Sequence, residues 1–77
     1  MRNVKMKLEE PTVTNYRPEA LIAYRMAAGL TQFGLAQAIG AKVNDVIKWE
    51  MGSKGIPRRM ILPLTRMLHC TEKDLVS

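Results

Sequence analysis

Two glycines, Gly40 and Gly52, divide the middle of this chain into short apolar segments, and that spacing limits what the chain can fold into. Glycine readily adopts the left-handed backbone that ends a helix. Thr31 precedes the first segment, where its hydroxyl can accept a backbone N–H at a helix N-terminus. The pattern predicts a short helix over residues 31–39, a tight turn, and a second short helix over residues 43–50.

Apolar residues at helical spacing predict further helices on both sides of this pair. The first begins near Pro18, a residue suited to the first helical turn, and ends at Gly29. The fourth covers about residues 58–68 and contains Pro63, which predicts a kink or a late start because proline has no N–H to donate.

The end of the chain predicts a fifth helix. Thr71 and Asp74 have the spacing of a capping box, and Leu75 and Val76 would lie on the short helix that follows. We expect a single five-helix unit with one core. The inward positions predicted for that core are Leu21, Ile22, Leu35, Ala36, Ile39, Val46, Trp49, Ile61, Leu64 and Leu68, with Met26, Met60 and Met67 filling gaps.

Composition narrows the class of function. The net charge is +5, which favours a polyanionic partner. With one cysteine, Cys70, and one histidine, His69, the chain can form no internal disulfide and no metal cluster, so we expect neither a metal nor another cofactor. The single cysteine fits a cytoplasmic protein, and no apolar run predicts a membrane span or a secretory signal. We find no acid–base pair or phosphate loop, and we therefore expect neither an enzyme nor a small-molecule substrate.

Two short helices joined by a tight turn form a helix-turn-helix, which places its second helix in the DNA major groove. The chain resembles the Cro/XRE family of phage-repressor-like domains over about residues 21–76. The resemblance implies an all-α, lambda-repressor-like fold: a compact bundle of about five short helices with a short N-terminal arm or strand. The residues that carry it are Arg25, Gly29-Leu30-Thr31-Gln32, Leu35-Ala36, Ile39-Gly40, Val46, Trp49-Glu50, Gly52, Pro57, Ile61, Leu64 and Leu68.

The helix-turn-helix domain would cover residues 17–77. The N-terminal arm, residues 1–16, can be interpreted in three ways. One is a short strand, because apolar and charged residues alternate before Pro11. The second is a disordered arm. The third is a basic arm that touches DNA. The strand signal lies at Val4, Met6 and Leu8, and the basic residues of the arm are Arg2, Lys5 and Lys7.

The exposed side of the helix over residues 43–50 holds the candidate base-reading residues. An amide such as Asn44 can bond an adenine edge, and Lys48 can reach a guanine edge or a phosphate. Val43 and Ile47 either touch thymine methyl groups or simply pack. The acid at Asp45 departs from the small polar residues common in the family, and we expect it to stabilise the helix N-terminus. The full base-reading set is Lys42, Val43, Asn44, Ile47 and Lys48.

Candidate phosphate contacts lie at two places. Gln32 begins the second helix, where its amide and the helix N–H groups could bind one phosphate, as the resemblance implies. Lys54, Arg58 and Arg59 form a basic cluster with no acid between residues 51 and 67. The alternative is that these cations form a solvated surface.

Other residues are expected to serve the scaffold. The resemblance implies an ion pair between Arg25 and Glu50 that ties the first helix to the third. Trp49 is in phase with the core, and Cys70 is expected to be a packed thiol rather than a nucleophile. His69 stands where the family often has glycine, so it must tolerate a left-handed backbone.

The function we expect is a sequence-specific DNA-binding transcriptional regulator, a repressor of phage or plasmid type that reads the major groove with the helix over residues 43–50. Its partners would be double-stranded DNA and a second copy, because a homodimer places two such helices about 34 Å apart. The alternative is a protein-interaction module, or an antitoxin-like protein, with weak or no specific DNA binding. A loss of affinity with salt and a preferred site would distinguish the first from the second.

Overall fold

The computed structural model describes residues 10–77. In this part of the chain, five α-helices and a short two-stranded sheet share one core. The strand signal predicted before Pro11 lies outside the described residues, and so does the basic arm. The elements follow in the order β1 (Thr12–Val13), α1 (Pro18–Ala27), α2 (Gln32–Ile39), α3 (Val43–Met51), β2 (Ile56–Pro57), a 3₁₀ turn (Arg58–Met60), α4 (Ile61–Leu68) and α5 (Glu72–Leu75).

The ends of α2 and α3 follow from local chemistry. The hydroxyl of Thr31 accepts the N–H of Gly34 at 2.9 Å, which confirms the predicted N-terminal cap. Gly40 and Gly52 end the two helices with φ angles of 75° and 73°, a region where a side chain would be strained. The turn between α2 and α3 is therefore tight, and α3 leaves it as a short separate helix.

Proline sets the start of α4. Pro63 is the third residue of this helix, where its missing N–H breaks no intrahelical bond. The predicted helix over residues 58–68 was therefore too long at its N-terminal end, and the late start is confirmed. At the other end, His69 takes a φ of 55°, as its position predicted.

A strand forms after Pro11. Thr12 pairs with Pro57 and Val13 with Ile56 in an antiparallel ladder. β2 lies in the connection between α3 and α4, where the sequence analysis predicted no strand. Val13 and Ile56 are both buried, so this small sheet closes one side of the helical core.

Packing confirms most of the predicted core. Trp49 is 1% exposed and is the largest fully buried side chain. Met26 was wrongly assigned to the core, because it is 65% exposed near the end of α1. Met60 is buried and Met67 packs against the core from its edge. The buried apolar residues are Val13, Tyr16, Leu21, Leu35, Ala36, Ile39, Val46, Trp49, Ile56, Met60, Ile61, Leu64, Leu68 and Leu75.

The last helix brings the C-terminus back to the start of the fold. The carboxylate of Asp74 accepts the N–H of Thr71 at 2.8 Å and its hydroxyl at 3.0 Å. Leu75 is buried on α5, whereas Val76 was wrongly placed on this helix, because it follows the last helical residue and forms a β-bridge with Tyr16. No helix in residues 10–77 has the length and apolar character needed to cross a membrane.

Candidate nucleic-acid interface

The polar side of α3 faces solvent. Lys42, Asn44 and Lys48 are exposed, and Val43 and Ile47 are half-buried. Val43 also packs against the core, which accounts for its position without a base contact. The α3 helix and its N-cap, Lys42, thus present three polar side chains to solvent over a firmly packed inner face.

A bidentate ion pair holds the C-terminal end of α3 to α1. Nε of Arg25 donates to Oε2 of Glu50 at 2.6 Å, and Nη2 donates to Oε1 at 3.1 Å. Nη1 of the same guanidinium donates to the carbonyl of Leu30 at 2.8 Å. The side chains of Arg25 and Glu50 are only 14% and 4% exposed. The pair therefore lies largely out of water, where it also ties the turn before α2 to the two helices.

Gln32 joins this network at the N-terminus of α2. Its Nε2 donates to Oε1 of Glu50 at 2.9 Å. A primary amide has two N–H groups, so the second can reach a phosphate while the first remains on Glu50. The first N–H groups of α2 have no intrahelical acceptors and lie beside this amide. The structure thus orients Gln32 through Glu50, a contact that the sequence analysis did not predict.

The predicted basic cluster has acidic partners drawn from other elements. Nζ of Lys54 lies 2.6 Å from Oδ1 of Asp45 in the first turn of α3. The side chain of Lys54 is 44% exposed and that of Asp45 is 29% exposed. Asp45 is thus in place to act on the N-terminus of α3, and it also contacts a cation from the loop that follows the helix.

The two arginines of the cluster are paired in the same way. Nη1 of Arg58 lies 2.7 Å from Oε2 of Glu72 on α5. Arg59 pairs with Glu10, which precedes β1. No acid lies near these cations in the sequence, but the fold supplies one to each. Both pairs are exposed and screened by water, so DNA phosphates can compete for the arginines.

Tyr16 positions the loop after α3, and the sequence analysis did not single it out. Its hydroxyl lies 2.8 Å from the carbonyl of Trp49 and 2.8 Å from the carbonyl of Lys54. Burial raises the pKa of Tyr16, so the hydroxyl keeps its proton and donates. In the sequence, the one indication of this role was the presence of a tyrosine just before α1. Its partners lie more than thirty residues away.

The single thiol belongs to the packing of α4 and α5. Cys70 is half-buried and packs against the core, and burial raises its pKa. The thiol therefore stays protonated at neutral pH, the form that is a poor nucleophile.

Within residues 10–77, large apolar side chains are exposed at four places. Phe33 follows Gln32 at the start of α2 and is 59% exposed, and Met51 ends α3 and is 71% exposed. Leu62 on α4 is 58% exposed, and Met26 is the fourth. Phe33 and Met51 therefore border the surface formed by α2 and α3.

Comparison with known proteins identifies the fold. No family model matches the chain, and no curated protein matches it. Among solved structures, the chain is similar to the crystal structure of the clp gene regulator ClgR from C. glutamicum, at 24% identity with a TM-score of 0.70. The match covers 88% of this chain and 87% of that chain. This likeness confirms the predicted all-α fold class, whereas membership of the Cro/XRE family stays a prediction.

Proposed function

We propose that this chain is a DNA-binding transcriptional regulator that reads the major groove with α3. The exposure of α3 is the observation that carries the proposal. Gly40 and Gly52, both with positive φ, lie before and after this short helix. Lys42 at its N-cap, and Asn44 and Lys48 along it, face solvent. A short exposed helix after a tight turn has the dimensions that fit the major groove of B-DNA.

The exposed side chains offer suitable chemistry for base edges. The amide of Asn44 can pair bidentately with the N6 and N7 positions of adenine. The ammonium group of Lys48 can donate to O6 or N7 of guanine. Half-buried Ile47 presents a methyl group of the kind that packs against thymine.

Phosphate contacts would position α3 on the duplex. Gln32 and the N–H groups at the start of α2 form one donor cluster. Lys54, Arg58 and Arg59 form a second, in a chain of net charge +5. The similar solved structure is that of a gene regulator, which agrees with this assignment.

The proposal includes dimerisation and repression. A homodimer would place two copies of α3 about 34 Å apart, which suits a site with two-fold symmetry. A small dimer bound over a promoter would block transcription, and the resemblance favours a regulator of phage or plasmid type.

A second candidate function is a protein-interaction module, or an antitoxin-like protein, that binds DNA weakly. The observation that favours it is the pairing of Lys54, Arg58 and Arg59 with acids of the same chain. Each acid adds negative charge beside a proposed phosphate contact and so weakens attraction to DNA.

Selection of bound duplexes from a random pool, followed by titration of the selected site at several salt concentrations, tests the proposal. We expect a preferred site and a steep loss of affinity with salt. Asn44→Ala should change the preferred base at one position, whereas Gln32→Ala should weaken binding to all sequences alike.

A pair of lysine variants supplies the control. Lys48→Ala should lower affinity by about ten- to a hundredfold, as expected for loss of a base contact. Lys73→Ala, on α5, makes the same change in charge away from α3 and should have little effect. No binding at low salt would favour the interaction module. A preferred site unchanged by Asn44→Ala would refute the assignment of α3 to base reading.

A further inference from the structure

A recess of about 140 Å³ lies between the N-terminal end of α3 and the 3₁₀ turn. Its wall includes Lys42, Asp45 and Trp49, and the 3₁₀ turn contributes Arg59 and Met60. The volume exceeds the ~30 Å³ that one water molecule occupies in the liquid, so a small solute can enter.

Trp49 supplies an unsatisfied donor beside the recess. Lys42, Asp45 and Trp49 follow one another at intervals of three and four residues, so they share one stripe of α3 and its N-cap. Helical side chains lean toward the helix N-terminus, which directs the indole toward the recess. Trp49 is 1% exposed, and its Nε1 has no hydrogen-bond partner within residues 10–77. A buried N–H without an acceptor is destabilising, and an acceptor that entered the recess would satisfy it.

The N-terminus of α3 also lacks an acceptor. Thr31 caps α2 with its hydroxyl, but Lys42 at the N-cap of α3 makes no such hydrogen bond. A lysine side chain has no acceptor atom, and its positive charge adds to the positive end of the helix dipole. The first N–H groups of α3, those of Val43 and Asn44, have no intrahelical acceptor. This helix end is therefore unfavourable in the absence of an anion.

The charges around the recess leave it net positive. Arg59 pairs through Nε with Glu10, so its other N–H groups are available. Asp45 is the one acid in the wall, and Nζ of Lys54 lies 2.6 Å from its Oδ1. Lys42 forms no ion pair with the described residues, so its positive charge is not compensated.

We infer that this recess binds a free phosphate group, either inorganic phosphate or the phosphate of a small ligand. Its oxygens would accept hydrogen bonds from the indole of Trp49 and from the first N–H groups of α3. Lys42 and Arg59 would balance its charge. A DNA phosphate has the same chemistry, but it is tethered to the duplex on both sides, whereas Nε1 of Trp49 is buried below the protein surface.

The ligand would act on DNA binding through the residues that it shares with the DNA. Lys42 belongs to the proposed base-reading set and Arg59 to the proposed phosphate contacts. A bound phosphate would neutralise both and so weaken attraction to DNA. This consequence rests on the proposed function, whereas the binding of phosphate does not.

NMR titration with inorganic phosphate in the absence of DNA tests the inference. Trp49 is the only tryptophan, so its indole N–H gives one assignable signal. We expect this signal and the backbone N–H signals of Val43 and Asn44 to shift with the same dissociation constant. Sodium chloride at matched ionic strength and pH should give no saturable shift, because screening acts without a site.

Four variants locate the site. Lys42→Ala and Arg59→Ala should each raise the dissociation constant of phosphate about tenfold, as expected for loss of a charge-assisted hydrogen bond. Lys73→Ala on α5 and Arg66→Ala on α4 remove the same kinds of charge at exposed residues outside the recess. These two controls should leave the dissociation constant unchanged.

Three results would overturn the inference. The first is a set of shifts no larger than those in sodium chloride. The second is a dissociation constant that neither Lys42→Ala nor Arg59→Ala alters. The third is an indole signal that moves with a DNA duplex but not with inorganic phosphate, which would assign the recess to the DNA backbone. Because the phosphate titration contains no DNA, its failure is separable from failure of the proposed function.

Discussion

Removal of the Glu50 carboxylate should strongly destabilise this fold. It accepts two hydrogen bonds from Arg25 and one from Gln32, and its side chain is 4% exposed. In Glu50→Ala, the guanidinium of Arg25, whose side chain is only 14% exposed in the parent, would keep the carbonyl of Leu30 as its remaining partner among the described residues.

The size of the effect follows from that geometry. Breaking a buried ion pair from one side costs about 3–5 kcal/mol, because the remaining charge stays desolvated. The guanidinium of Arg25 keeps a little contact with water, so the lower end applies, about 3 kcal/mol. In a domain of this size each kcal/mol lowers Tm by about 4–8 °C. We therefore expect Glu50→Ala to lower Tm by about 12–24 °C.

Thermal and urea denaturation followed by circular dichroism measure this change. The matched control is the double variant Arg25→Met/Glu50→Leu, which removes both charges and fills the space. Replacing both partners of a buried pair is often neutral, so the double variant should be more stable than Glu50→Ala. A loss below about 1 kcal/mol for Glu50→Ala, the value of a surface pair, would refute the reasoning.

Three further changes test other parts of the structure. Tyr16→Phe removes the hydroxyl that bridges two carbonyls at the end of α3, and urea denaturation should show a loss of about 1–3 kcal/mol. The N–H and hydroxyl of Thr71 lower the pKa of Asp74, so this carboxylate stabilises the fold above its ordinary pKa, and that stability disappears as pH falls through the lowered value. Thermal denaturation between pH 2 and pH 6 should thus show a smaller acid loss for Asp74→Asn than for the parent, and equal losses would contradict the assignment. Asp45→Asn removes a negative charge beside α3 and releases Lys54, so fluorescence anisotropy at low salt should show about three- to tenfold tighter DNA binding. Unchanged affinity would argue against a role for Lys54 at the DNA.

Local chemistry made the helix boundaries predictable from sequence. A threonine that accepts a nearby N–H and a glycine that tolerates positive φ act within one turn, as Thr31, Gly40 and Gly52 show. The positive φ of His69 was predictable for the same reason, because the residue that ends α4 at this point takes a left-handed backbone whatever its type. Pro63 predicted the late start of α4 through the N–H that it lacks.

Contacts between distant segments were not predictable in the same way. The sheet joins Val13 to Ile56, and two-residue strands carry too little alternation to be recognised. Helical spacing on α1 also led to the wrong prediction that Met26 lies in the core. Met26 is exposed because the neighbouring elements cover only part of the apolar face of this ten-residue helix. Gln32 was predicted to contact a phosphate because of its position at the start of α2. Its hydrogen bond to Glu50 was not predictable, because that bond depends on how α2 crosses α3.

The acids that pair with the basic cluster affect how strongly α3 would favour one DNA sequence over others. The sequence shows a run of cations, and in the fold Lys54, Arg58 and Arg59 each contact a carboxylate. In the proposed complex, a phosphate that takes one of these cations displaces that carboxylate, which then attracts a cation from solution. The net release of counterions is therefore smaller than one per contact, and the salt dependence should be shallower than the slope of about 0.9 expected for each phosphate. Because non-specific binding relies almost wholly on that release, the internal acids weaken it more than they weaken base reading by α3. A regulator built in this way gains specificity by giving up affinity for arbitrary DNA.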